Sequence, residues 1–79
     1  MNIIIYTKSN CPNCEHAKQL MQSKKLSYEE RDMGDPDEYA VFSATYPELR
    51  QMPQIWIDGQ RVGGLAGLQA ALKQIEGAA

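Results

Sequence analysis

Histidine and cysteine are scarce in this chain, basic runs are missing, and long apolar stretches are absent. Each shortage excludes something. One histidine, His16, and two cysteines, Cys11 and Cys14, fall short of the four ligands a tetrahedral zinc site takes. On a helix, Cys14 and His16 would also point in different directions. No metal is expected. The formal net charge of −2 and the lack of a basic stripe offer nucleic-acid phosphates no partner. No segment nears the roughly 18 continuous apolar residues of a membrane span. The opening MNIIIYTKSN has no basic n-region and too short an apolar run for a secretory leader. The expected setting is the cytoplasm, where structural disulfides are rare. Linkers, repeats and low-complexity tracts are missing too, so residues 1–79 read as one small domain, expected to be a monomer.

What is present alternates between strand and helix patterns. NIIIY (2–6) is a β-branched run with apolar groups on both faces, as suits a central strand covered on both sides. Pro12 fits the first turn of a helix, and Cys14, Ala17, Leu20 and Met21 mark its buried side up to Lys24 or Lys25. LSYEERDM (26–33) reads as a charged edge strand, parallel to the first through a βαβ crossover. Asp35-Pro36 is an N-cap followed by an N1 proline. It opens a helix with Tyr39, Phe42 and Tyr46 on one side, stopped by Pro47, with one further turn at PELR. PQIWI (53–57), the hairpin signal DG and QRV (60–62) follow. Gly63-Gly64 then leads into a helix carrying Leu65, Leu68, Leu72 and Ile75, with Gly77 as its C′ residue. The order is β-α-β-α-β-β-α, which predicts an α/β fold: one four-stranded mixed sheet with helices on both faces. The acidic residues of 29–38 read as a solvated face.

Both cysteines stand in CPNC, between the first strand and the first helix. A Cys11–Cys14 bridge closes so short a loop that it is a poor staple. A redox dithiol fits better, because C-x-x-C beside a βαβ pattern is the thioredoxin-like signature. Cys11 at the helix N-terminus sits beside unpaired N–H groups and the positive end of the dipole, which favour a thiolate. Lys8 adds a nearby positive charge. Cys14, deeper in the first turn, would resolve what Cys11 attacks.

With these residues in view, the chain resembles the glutaredoxins over nearly its whole length. IYTKSNCPNC is similar to their entry strand, lysine and C-P-x-C. RQMPQIWIDGQRVGG (50–64) is similar to their proline–strand–glycine-pair segment, in the right order. The resemblance implies a thioredoxin-like fold and glutathione-dependent disulfide exchange. Cys11 and Cys14 are then catalytic, and Pro53 is a cis-proline lying against them. Met52 offers its backbone to glutathione or a substrate. Lys8 and Arg50 stand near the glycyl carboxylate of glutathione. Gly63, Gly64, Leu65 and Ala66 present backbone N–H groups to its γ-glutamyl end. The implied partners are glutathione and disulfide-bearing proteins, with ribonucleotide reductase among the family's clients.

Two departures matter. Leu65-Ala66-Gly67-Leu68 replaces the polar segment that usually follows the glycine pair, which predicts weaker glutathione binding. Asn13 stands where many members carry tyrosine and leaves the dithiol more open. Two rivals keep the fold: a redoxin reduced by thioredoxin reductase, and a dimer that holds an iron–sulfur cluster through Cys11 and glutathione.

Overall fold

A computed structural model describes residues 1–77. The elements are β1 (Ile3–Thr7), α1 (Pro12–Ser23), β2 (Glu29–Asp32), α2 (Pro36–Thr45), β3 (Gln54–Ile57), β4 (Gln60–Gly63) and α3 (Leu65–Gly77). The sheet order is β2-β1-β3-β4, with β1 parallel to β2 and antiparallel to β3, and β3 antiparallel to β4. This is the expected mixed sheet.

The strand alternation decides which helix covers which face. Ile3, Ile5, Ile55 and Ile57 point to one side, where Ala17 and Met21 of α1 and Leu68 and Leu72 of α3 complete the core. Burying one such large apolar side chain stabilises the fold by about 1.5–3 kcal/mol. Tyr6 and Trp56 point the other way and meet α2. Their rings lie 4.7 Å (Tyr6–Phe42), 5.3 Å (Tyr6–Trp56) and 5.1 Å (Tyr46–Trp56) apart, centre to centre. These tilted and edge contacts suit the aromatic quadrupoles. Of the aromatic stripe read on α2, Phe42 and Tyr46 pack into this cluster, while Tyr39 stays outside it and is 57% exposed.

Several boundaries differ from the sequence reading. Helix α1 stops at Ser23, short of Lys24 and Lys25, because the chain turns into a Schellman motif. Lys25, at φ 59°, donates to the Gln22 carbonyl, and Leu26 donates to the Met21 carbonyl. Those residues are spent on the turn, so β2 is only Glu29–Asp32 rather than 26–33. Gly77 lies inside α3 and is not its C′ residue. Proline 53 precedes β3 instead of starting it. The PELR turn forms, closed by Leu49 N–H on the Tyr46 carbonyl at 3.1 Å. Ile75 is exposed and drops off the buried stripe of α3. Against β3, Ile55 pairs with Gly63 and Trp56 with Arg61, so Val62 is one extra residue, a β-bulge.

Candidate active site

The site is built where β1 hands over to α1. Asn10, in the left-handed region at φ 55°, turns the chain so that Cys11 becomes the N-cap of α1. Pro12 supplies the first turn, where its missing N–H costs nothing. The Cys11 sulfur accepts a hydrogen bond from Cys14 N–H at 3.1 Å, doing what a serine or aspartate cap does elsewhere. Cys11 and Cys14 are joined as a disulfide with Cα atoms 5.2 Å apart, so the structure shows the oxidised half of a dithiol couple. Exposure separates the two cysteines: Cys11 is 7% exposed, whereas Cys14 is fully buried.

The MPQ segment (52–54) reaches the site from the start of β3. The Met52–Pro53 peptide is cis, as the family resemblance implied. The Met52 carbonyl oxygen lies 3.6 Å from Cys11 Sγ. One cavity over the disulfide is lined by Lys8, Asn10, Cys11, Pro12, Asn13 and Met52. Lys8, Asn13 and Met52 are therefore brought to the dithiol. Arg50 is not in that cavity; it lines an adjoining groove on the far side of Met52. Neither Lys8 nor Arg50 makes an ion pair among the described residues, which leaves two free cations flanking Met52.

The glycine pair comes in behind Pro53. A Cβ placed on Gly64 would lie 3.5 Å from the Pro53 carbonyl oxygen, so the two backbones are in contact. Gly64 accepts the first α3 hydrogen bond, from Leu68 N–H at 2.9 Å. Having no side chain, it leaves the N–H groups of Leu65, Ala66 and Gly67 without a cap. Leu65 turns its side chain onto the core, and Ala66 is exposed, so only backbone is offered here.

Two features of the site carry little sequence signal. Gly67 is one: a Cβ there would sit 1.7 Å from the Val62 carbonyl oxygen, so only glycine lets α3 begin this close to the β4 bulge. The other is a polar clamp on α1. The buried Thr7 hydroxyl donates to Glu30 Oε2 at 2.8 Å, Lys18 Nζ donates to the same oxygen at 3.1 Å, and Lys18 lies 3.0 Å from Glu15. The hydrogen bonds to Glu15 and then Glu30 raise the Lys18 pKa above its ordinary value. Only the Glu15–Lys18 spacing announces it. The clamp ties the first turns of α1 to β1 and β2 and so fixes the cysteines.

The glutaredoxin family model matches residues 3–62. The chain is 36% identical over 69 residues to glutaredoxin 3 of Escherichia coli, which covers 87% of this chain and 83% of that one. In structure it is similar to glutaredoxin 1 of Francisella tularensis, with TM-score 0.81, 26% identity and 96% of each chain covered. It also shares the fold of a buckwheat glutaredoxin–glutathione complex, with TM-score 0.79, 20% identity, and 91% of this chain and 68% of that one covered.

Proposed function

The chain belongs to the glutaredoxin family and is a thiol–disulfide oxidoreductase, and from that premise we propose that glutathione is its reductant. The observation that carries the proposal is Cys11, the more exposed of the two cysteines, sharing a cavity with Lys8 and Met52, while the start of α3 packs against the Pro53 carbonyl. A tripeptide thiol with two carboxylates suits such a surface: one cation-lined end, one end rich in backbone N–H groups.

The steps follow from access. The Cys11 thiolate attacks a substrate disulfide, forms a mixed disulfide and expels the other substrate sulfur as a thiolate. Cys14 then attacks Cys11 Sγ, which frees the remaining substrate thiol and yields the Cys11–Cys14 disulfide seen here. One glutathione thiolate attacks the Cys11 sulfur and releases Cys14. A second attacks the glutathione sulfur of that mixed disulfide, giving glutathione disulfide and the Cys11 thiolate. Substrates are proposed as a class, protein disulfides and glutathione mixed disulfides, in a reducing compartment such as the cytoplasm. Ribonucleotide reductase is one such client; main-chain recognition at Met52 is tolerant of sequence.

The hydrophobic Leu65 and Ala66 favour one second reading, in which thioredoxin reductase supplies the electrons because γ-glutamyl contacts are backbone only. NADPH consumption separates the two. Turnover with glutathione and glutathione reductase supports the proposal; turnover with thioredoxin reductase alone overturns it.

A further inference from the structure

Beyond Met52 lies a groove of about 340 Å³, with Tyr39, Phe42, Tyr46, Leu49, Arg50 and Met52 among its walls. We propose that it is a specificity subsite for protein substrates, taking an aromatic side chain that neighbours an acidic residue a few positions from the target cysteine. The proposal rests on the dithiol reading above and adds the substrate class to it.

Three observations carry it. The first is continuity. Met52 lines both this groove and the cavity over the disulfide, and its carbonyl is 3.6 Å from Cys11 Sγ. An extended peptide advances about 3.3 Å per residue, so a substrate held at Cys11 passes over the groove within a few residues. The second is the wall. Phe42 is buried at the floor, while Tyr39 stands 57% exposed at the edge with its ring unused by the aromatic cluster. A half-open aromatic slot of this size suits one flat ring. The third is charge. Arg50 is the one charged residue lining the groove, and it makes no ion pair or side-chain hydrogen bond among the described residues. It attracts a carboxylate and repels a lysine or arginine that would otherwise stack on the tyrosines.

The test uses the pre-reduced full chain in single turnover. Its substrates are two synthetic peptides whose one cysteine is a mixed disulfide with 2-mercaptoethanol. The peptides differ only in carrying Phe-Glu or Ala-Lys beyond that cysteine. Bis(2-hydroxyethyl) disulfide, which is too small to reach the groove, is the control. The expected result is a roughly five- to tenfold faster reaction with the Phe-Glu peptide, the size of one aromatic contact. Tyr39→Ala should cut that preference at least severalfold and leave only the charge component that Arg50 supplies, Tyr39→Phe should keep it, and both should react with the control at the wild-type rate. Equal wild-type rates on the two peptides would overturn the subsite, as would a Tyr39→Ala defect that is equally large on the control. A wild-type protein that reacts with none of the three disulfides would instead overturn the dithiol reading beneath it.

Discussion

Replacing Gly67 by alanine tests the packing that brings α3 to the site. In an open helix the exchange would help, since alanine is favoured over glycine by about 1 kcal/mol. Here the new methyl would sit 1.7 Å from the Val62 carbonyl oxygen and 2.8 Å from its carbon. Contacts that short do not persist, so α3 or β4 must retreat by more than an ångström. Both obstacles are backbone, and no side chain can swing aside. Overpacking of this kind costs up to about 3 kcal/mol or somewhat more. Net of the propensity gain, the loss is about 2 kcal/mol, a drop in Tm of roughly 10 °C for a chain this size. Because Gly64 rests on the Pro53 carbonyl, the same retreat pulls the start of α3 away from the dithiol. The KM for glutathione should therefore rise as well. Thermal and urea unfolding measure the first effect, and glutathione-coupled kinetics the second. A Gly67→Ala protein as stable as the wild type would refute the close approach on which this account of the site depends.

Other expectations follow from single residues. Lys25→Gly should raise stability by about 1 kcal/mol in urea unfolding, since Lys25 holds a left-handed backbone at φ 59° that glycine adopts freely. Alkali should destabilise the protein. Burial, above all, raises the Tyr6 pKa from 10.0, so the folded state holds that proton more tightly than the unfolded chain does. The contribution is full below pH 10 and is lost as pH climbs through the folded value. Lys18, raised from 10.5 by Glu15 and Glu30, acts in the same direction. The urea midpoint should hold from neutral pH to mild alkali and then fall, and it should fall less steeply in Tyr6→Phe. Lys8→Ala should slow alkylation of reduced Cys11 near neutral pH by less than about fivefold, because an exposed charge pair is worth only about 0.2–1 kcal/mol. An unchanged rate–pH curve would remove Lys8 from thiolate stabilisation.

The sequence disclosed what depends on local chemistry. CPNC between a strand and a helix pattern located the cysteine pair, and Pro12, Asp35 and Asp58-Gly59 marked where elements begin or turn. The aromatic stripe of α2 was visible as a pattern, but not that Phe42 and Tyr46 would meet Tyr6 and Trp56 of the sheet in one cluster. What depends on tertiary approach was hidden. Gly67 looked like an ordinary glycine in a helix because its partner, the Val62 carbonyl, is set by a bulge that no pattern announces. Lys25 carries the left-handed turn that glycine usually marks, so the end of α1 and the start of β2 were both misplaced. The cis peptide at Pro53 came from the resemblance alone, since residue types do not distinguish it from a trans bond. Arg50 was grouped with Lys8 by motif, yet the fold sets it across Met52, in a separate groove.

In the proposed cycle Cys11 attacks and Cys14 resolves, with glutathione returning the pair to dithiol. Its most direct measurement is the glutathione-coupled reduction of a small glutathione mixed disulfide and of a protein disulfide by wild type, Cys11→Ser and Cys14→Ser. Cys11→Ser should be inactive on both substrates, while Cys14→Ser should keep activity on the small mixed disulfide and lose it on the protein disulfide. Activity retained by Cys11→Ser, or lost by Cys14→Ser on both substrates, would contradict it.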